Sequence, residues 1–177
     1  MIASTVSKKR IAIIGAGWMG IGCLKILKEQ GHYVDVYEKL DDVGGVWHPS
    51  NNYANLKIHN PANTVEYYDF PLPENINREE RLPSAQIHTY LRNYIENQSL
   101  GENIKLAHSI KTIDYDTSTH SVHLTIIHSG QDESVKTYDY VINTNGFSNR
   151  HLPDFAGSDC FQGELLHSFD ATRDKVM

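Results

Sequence analysis

Gly15-Ala16-Gly17-Trp18-Met19-Gly20 sets three glycines at the spacing G-x-G-x-x-G, directly after the apolar run Ile11–Ile14. That spacing suits a loop that grips a diphosphate. The first glycine permits the tight turn, and the second lets the backbone approach a pyrophosphate. The third lets the following helix pack closely, with its N-terminus aimed at the phosphates. Glu38 stands eighteen residues after Gly20, where a carboxylate can accept hydrogen bonds from ribose hydroxyls. The same acid disfavours a 2′-phosphate, so NAD or FAD is preferred over NADP at this loop. Glycines at a strand–helix turn can also serve packing alone. The full order of strand, loop, helix, strand and terminal acid favours a ligand.

A second glycine pair lies in Glu38–Ser50, "EKLDDVGGVWHPS", with Trp47 just after it. A simple NAD dehydrogenase has no evident need of this pair. A flavin does need backbone close to its pyrophosphate and ribityl chain, and an aromatic wall. Trp47 is a candidate for that wall, or else a core aromatic. Other chemistry is sparse. His120 and His123 fall on opposite faces of an expected strand, with His128 beyond, so they do not converge on a metal. Cys23 and Cys160 are far apart and form no CxxC, which argues against a zinc site or a disulfide framework.

The elements that must position these residues are legible in outline. Ile11–Ile14 is a compact apolar run of the kind buried on both faces of a sheet. Met19, Cys23, Ile26 and Leu27 fall on one stripe of a helix that Gly31 is placed to end, and Tyr33–Glu38 alternates as a second strand. Two strands joined by a helix predict a parallel βαβ unit with a right-handed crossover. Asn51–Arg81 is polar and proline-punctuated, and reads as a long surface loop. Ser84 is a candidate N-cap for a helix carrying Ile87, Leu91, Tyr94 and Ile95 on one face. After Gly101 three strand-like stretches, with a turn at Ser129–Asp132, predict an antiparallel meander leading into a last buried strand, Tyr140–Asn143. The fold class expected is α/β, a Rossmann-like dinucleotide-binding domain with a parallel sheet plus an antiparallel β-meander.

Composition narrows the partners. The 177 residues carry sixteen Lys plus Arg against twenty-two Asp plus Glu, a net charge of −6, with no dense basic run. Nucleic acid and anionic membrane both select for clustered positive charge, so neither is expected as a partner. Apolar residues make up 40% of the chain, "IAII" is far too short to span a bilayer, and no signal-peptide pattern opens the sequence. The expectation is a cytoplasmic protein.

In its motifs the sequence resembles the flavin-containing monooxygenase family, the class B flavoprotein monooxygenases. The matching pieces are "GAGWMG", "EKLDDVGGVW", "LKIHNPANTVEYYDFPLP", "VINTNG" and "FQGELLH", in the family's order from residue 11 to about 167. The resemblance implies FAD phosphate contact at Gly15, Gly17, Trp18, Met19 and Gly20, and ribose contact at Glu38 with Lys39 beside it. It places Gly45, Val46 and Trp47 along the flavin's polar tail, and lends the backbone of Ile110 to the adenine. Thr144-Asn145-Gly146 stands where the family usually has Ala-Thr-Gly, a turn closing over the FAD. The activity implied is NADPH-dependent: NADPH reduces FAD, O2 adds to form a flavin hydroperoxide, and a nucleophilic nitrogen or sulfur of a small molecule takes one oxygen.

Three departures from the family pattern bear on function. A Thr-Asn pair usual near the flavin is replaced by Ile58 and His59, with Asn60 next. His59 and Asn60 are thus the candidates for the reactive edge, although YUCCA-type plant members have a similar stretch and His59 also suits an ordinary surface loop. Phe161, Gly163 and His167 match F-x-G-x-x-x-H, but Ala171 stands where an aromatic is usual. No second G-x-G-x-x-G occurs before Met177. Residues 1–177 therefore read as one FAD-binding domain that stops before an NADPH-binding domain. The reading carries an exposed face for a second copy or a partner chain. The rivals are a non-catalytic FAD-binding module, half of a split enzyme, and an ordinary NAD-binding Rossmann protein.

Overall fold

A computed structural model describes residues 7–53, 55–130, 132–146, 151–167 and 170. The first strand, β1 (Arg10–Ile14), leads through the glycine loop into helix α1 (Trp18–Glu29) and returns as β2 (Tyr33–Tyr37), parallel to β1 with Ile11 opposite Val34 and Ile13 opposite Val36. Helix α2 (Ser84–Asn97) precedes a short strand β3 (Ile104–Lys105). The meander β4 (His108–Asp116), β5 (Ser121–His128) and β6 (Asp132–Tyr138) follows, and β7 (Tyr140–Asn143) closes the series. The parallel sheet runs β3-β2-β1-β7, and the antiparallel sheet runs β4-β5-β6.

The continuous apolar character of β1 follows from cover on both faces. Ile13, with Val34 and Val36 of β2, packs into a core shared with Ile21 and Leu24 of α1 and Ile87 and Leu91 of α2. On the opposite face Ala12 and Tyr37 meet Leu124, Ile126 and Tyr138 of the meander. Period-2 alternation thus sends successive residues of β1 and β2 into two different cores. In the second core the hydroxyls of Tyr37 and Tyr138 lie 2.6 Å apart, and Tyr138 donates to Asp35 at 2.7 Å, so the buried phenols are partnered.

Several sequence expectations need correction. The buried face of α1 is Gly20, Ile21, Leu24 and Lys25, whereas Met19 and Ile26 of the expected stripe are 66% and 52% exposed. Gly31 does end the helix region in left-handed backbone (φ +83°), its N–H bonded to Lys28 O. Ser84 is the first helical residue of α2 and not its N-cap. Pro83 holds that place, pre-set in extended backbone and offering no side-chain cap. The last strand forms over the expected residues and pairs with β1, but it is not buried as expected: Val141 and Ile142 are half-covered, while Tyr140 and Asn143 are exposed. Glu38 falls one residue beyond β2, although its backbone still bonds Lys105 and His108. The stretch 51–81 does not merely run over the surface, because Ile58, Ala62 and Leu72 enter the first core. Its backbone is satisfied by the strip that follows, through Ile58 N to Leu82 O, Ala62 N to Glu80 O and Asn63 N to Arg78 O. Ala171 and Met177 lie outside the described residues.

Lys25 explains the misplaced stripe. It is buried in a helix face that polarity alone would assign to solvent, and its ammonium meets Asp69 at 2.6 Å, Glu29 at 3.0 Å and the Tyr68 hydroxyl at 3.1 Å. The hydrogen bond to Asp69, with those to Tyr68 and Glu29, holds the Lys25 pKa above its ordinary range. Burial is the largest single influence on the Asp69 carboxyl and pushes it up, but the hydrogen bond and charge of Lys25, with hydrogen bonds from its own backbone and from Tyr94, together outweigh burial, and the net shift is downward. The clamp's stability contribution is therefore present above the ordinary aspartate pKa of about 3.9 and is lost as pH falls through the depressed folded value. On the alkaline side it is present below the ordinary lysine pKa of about 10.4 and is lost as pH rises through the raised one. Lys25→Met is expected to lower Tm clearly at pH 7, with the gap to wild type shrinking towards pH 3. Thermal melts across that range check it, and a gap that stays constant would count against the clamp.

Among the described residues, no helix is long and apolar enough to cross a membrane, and no group of three or more His, Cys, Asp or Glu side chains is placed to hold a metal ion. Cys23 is half-buried, Cys160 is exposed, and both are free thiols.

Candidate cofactor-binding site

The carboxyl ends of β1, β2 and β7 converge on the glycine loop. Gly15 N–H donates to Tyr37 O at the end of β2 (2.8 Å), and Ala16 N–H donates to Glu38 Oε2 (2.8 Å). From the other side Thr144, just past β7, donates its N–H to Ile14 O (2.9 Å) and its hydroxyl to Ile14 O (2.8 Å) and Gly15 O (3.1 Å). The loop is thereby pinned by its own strand and by both neighbours. Its position is also where the chain switches direction across the sheet, since β2 lies on one side of β1 and β7 on the other. Open α/β sheets bind ligands at that crevice.

Each glycine of the loop has a distinct steric reason. Gly15 takes φ +100°, which L side chains rarely adopt. A Cβ on Gly20 would lie 2.0 Å from Gly15 O, so the third glycine is what lets α1 press against the turn. Gly17 has ordinary backbone (φ −82°), and a Cβ there would meet only the Cα of Gly45 at 3.5 Å. Gly17 also supplies no side-chain cap, which leaves the first-turn N–H groups of α1 without one.

The second glycine pair comes to the same place. Gly44 N–H donates to Ala16 O (2.9 Å), and a Cβ on Gly45 would touch Gly17 Cα at 3.0 Å. Gly44 (φ +124°) and Gly45 (φ +58°) both hold backbone that favours glycine. Two bare backbone segments therefore face one another, with Glu38 buried behind them. Its second oxygen accepts from Leu40 N–H (3.0 Å). A charged group paired in this way fixes the loop without blocking every acceptor site, because each carboxylate oxygen carries two lone pairs.

The remaining sequence candidates divide into those gathered here and those not. Asn145 and Gly146 are exposed directly after Thr144, and Lys39 is exposed beside Glu38. Val46 is 67% exposed, and Met19 also faces outward at the head of α1. Trp47 is half-buried against the first core, as its core reading expected. Trp18 stacks its ring on Tyr67 (4.9 Å between centroids) and Tyr90 (5.5 Å), while its carbonyl accepts from the Tyr67 hydroxyl at 2.5 Å. Burial raises the Tyr90 pKa to about 12 and Tyr67 well beyond the ordinary tyrosine range, so both phenols stay neutral donors. Ile110 is in β4, two residues past His108, whose N–H bonds Glu38 O. His59 and Asn60 are exposed after Ile58, and among the described residues neither shares a hydrogen bond with the glycine loops.

Sequence reading missed Thr144 as a staple, the Tyr67–Tyr90–Tyr94 stack beneath Trp18, and the buried His48 and His88 that flank Gly44. The richness of "EYYDF" in aromatics was a signal for the stack. The histidines left none, because nothing local marks them as inward-facing.

A parallel βαβ unit with its glycine loop at the sheet's switch point, and an acid at the end of the second strand, defines a dinucleotide-binding α/β domain. A family model described as flavin-binding monooxygenase-like matches residues 8–177, and the chain belongs to that family, one of flavin-dependent oxidoreductases. The 4-hydroxybenzoate brominase (decarboxylating) of Marinomonas mediterranea is 31% identical over 172 residues, covering 96% of this chain and 32% of that protein. Flavin-containing monooxygenase 1 of Oryctolagus cuniculus is 33% identical over 175 residues, covering 90% of this chain and 32% of its own length. The solved S-allyl-L-cysteine S-oxygenase of Allium sativum shares the fold with a TM-score of 0.83 at 19% identity, over 96% of this chain and 43% of that one. The chain thus spans about a third of the length of the two curated relatives.

Proposed function

We propose that this chain is the FAD-binding portion of an NADPH-dependent monooxygenase that oxygenates a nucleophilic nitrogen or sulfur of a small molecule. The observation that carries the reading is the pair of bare glycine loops, Gly15–Gly20 and Gly44–Gly45, meeting at Gly17 and Gly45 with buried Glu38 behind. A cradle in which a Cβ at Gly15, Gly20, Gly44 or Gly45 would crowd its neighbours fits a pyrophosphate held by backbone N–H groups. In this reading Gly15, Gly17, Trp18, Met19 and Gly20 offer backbone to the phosphates, and Glu38 accepts from the adenosine ribose with Lys39 alongside. Gly45, Val46 and Trp47 line the flavin tail, Ile110 offers backbone to the adenine, and Thr144-Asn145-Gly146 closes the opposite side. His59 and Asn60 stay the candidates for the reactive edge. When bound, FAD would supply the redox chemistry, taking hydride from NADPH and activating O2. The chain's own residues would bind, orient and shield it. The whole 1–177 stretch acts as one such domain, in the cytoplasm, with O2 and a small-molecule substrate as partners.

The substrate class rests on relatives whose names specify nitrogen or sulfur chemistry, such as a trimethylamine monooxygenase and the S-allyl-L-cysteine S-oxygenase. The brominase likeness supports a second reading, with a phenolic ring as the target. A module that binds FAD without turnover is the third. The test is reconstitution of purified protein with FAD: bound flavin bands in the visible spectrum are expected, and their absence after reconstitution would sink all three.

Glu38→Ala gives the finer check. It deprives the ribose of its acceptor, a loss of about 1–3 kcal/mol in binding for a hydrogen bond to a charged group, and it separately costs stability by leaving the Ala16 N–H without its partner. Titration of apoprotein with FAD should show weakening of that size, with Glu38→Gln intermediate because one oxygen acceptor survives. Unchanged affinity in Glu38→Ala would show that the acid lies elsewhere than the ribose.

A further inference from the structure

We infer that His88 is a positioning residue for the cofactor site, holding the second glycine loop against the first through a single imidazole hydrogen bond; this rests on the FAD reading above. His88 belongs to α2, far in sequence from both glycine loops, and is buried. Its Nε2 lies 3.1 Å from Val43 O, the carbonyl directly before Gly44, and 3.4 Å from Asp42 Oδ2. A carbonyl only accepts, so Nε2 carries a proton. Behind the ring, Cδ2 stands 2.8 Å from where a Gly44 Cβ would be, which is why that position is glycine.

The clamp continues on both sides. Gly44 N–H is committed to Ala16 O, so Val43-Gly44 is held from α2 through its carbonyl and from the first loop through its amide. His48, also buried, meets His88 edge-on at 6.0 Å between ring centroids. Its Nδ1 accepts from Ser50 N–H at 3.2 Å, which puts the proton on Nε2, facing Asp41 at 3.2 Å. Arg92 of α2 reaches Asp42 at 3.4 Å and steadies the carboxylate that lies 3.4 Å from His88 Nε2. The path from α2 to the phosphate cradle is thus His88, Val43, Gly44, Ala16. It needs a donor at position 88 and not merely a ring of the right bulk.

The isosteric pair His88→Gln and His88→Met separates donor from bulk, since Gln can donate to Val43 O and Met cannot. Affinity for added FAD, the visible absorption and circular dichroism of the bound flavin, and far-UV circular dichroism are measured for each. Met is expected to raise the FAD Kd about tenfold, the worth of one buried hydrogen bond, and to alter the flavin spectrum. Gln should return both to near wild type, with secondary structure the same in all three proteins. Equal behaviour of Gln and Met, whether both normal or both impaired, would overturn the inference. A second readout needs no flavin and no variant: in the apoprotein labelled with 15N-histidine, NMR should find His88 protonated at Nε2, and an Nε2 without a proton would overturn it. Wild type that binds no FAD would fail the cofactor reading instead, while the NMR result still decides the hydrogen bond.

Discussion

Gly17→Ala is expected to fold like wild type and to lose most of its affinity for FAD. The apoprotein has room for the methyl group, since its nearest neighbour would be Gly45 Cα at an ordinary 3.5 Å and φ is −82°. The same methyl projects into the gap between the two glycine segments, where a diphosphate needs bare backbone. Overpacking of this kind costs about 1–3 kcal/mol, or roughly 5- to 150-fold in Kd, and Gly17→Val should abolish binding outright. Gly20→Ala provides the contrast. Its Cβ would fall 2.0 Å from Gly15 O, so helix and turn must separate and the protein itself should lose stability. FAD titration together with thermal melts distinguishes the two signatures. Full FAD occupancy in Gly17→Val would remove the pyrophosphate from this loop altogether.

That contrast also marks what a sequence can disclose. The glycine loop, the βαβ unit and the acid at Glu38 were legible because their logic is local: a fixed spacing, a change of period and a strand end within thirty residues. The meander was legible for the same reason, through alternation and a turn. What escaped depends on partners brought from far along the chain. Lys25 reads as a surface lysine until Asp69 and Tyr68 are folded onto it, and that one burial rotates the inward face of α1 away from Met19 and Ile26. Ile58, Ala62 and Leu72 show no period, yet their segment lines the first core by bonding the strip 78–82. Thr144 stands in a motif that suggested contact over the cofactor, while its hydroxyl is spent on Ile14 and Gly15 carbonyls. Pro83 displaced Ser84 as the cap because extended backbone suits a residue that lacks an N–H to donate.

The FAD-loaded 177-residue chain is expected to leave NADPH unoxidised above the background given by free FAD. Hydride transfer requires the nicotinamide to be held near attack distance from the flavin, and such positioning is worth effective molarities of about 10⁵–10⁸ M. The one G-x-G-x-x-G loop in these residues is the loop assigned to FAD, and the acid at its ribose end, Glu38, is buried and already paired to Ala16 and Leu40 N–H groups. A 2′-phosphate brought to that carboxylate would meet charge repulsion, and the neighbouring Lys39 is exposed and not held against it by any hydrogen bond among the described residues. NADPH could therefore reach the flavin only by collision. The assay follows NADPH absorbance with and without candidate amines, sulfides and 4-hydroxybenzoate, and uses dithionite as a control. Dithionite should bleach the bound flavin readily, because a small reductant needs no nucleotide site, so silence towards NADPH cannot be blamed on a damaged cofactor. Substrate-stimulated, FAD-dependent consumption of NADPH by this chain alone would mean that Glu38 and its loop tolerate the phosphorylated nucleotide, and the division of labour proposed here would fall with it.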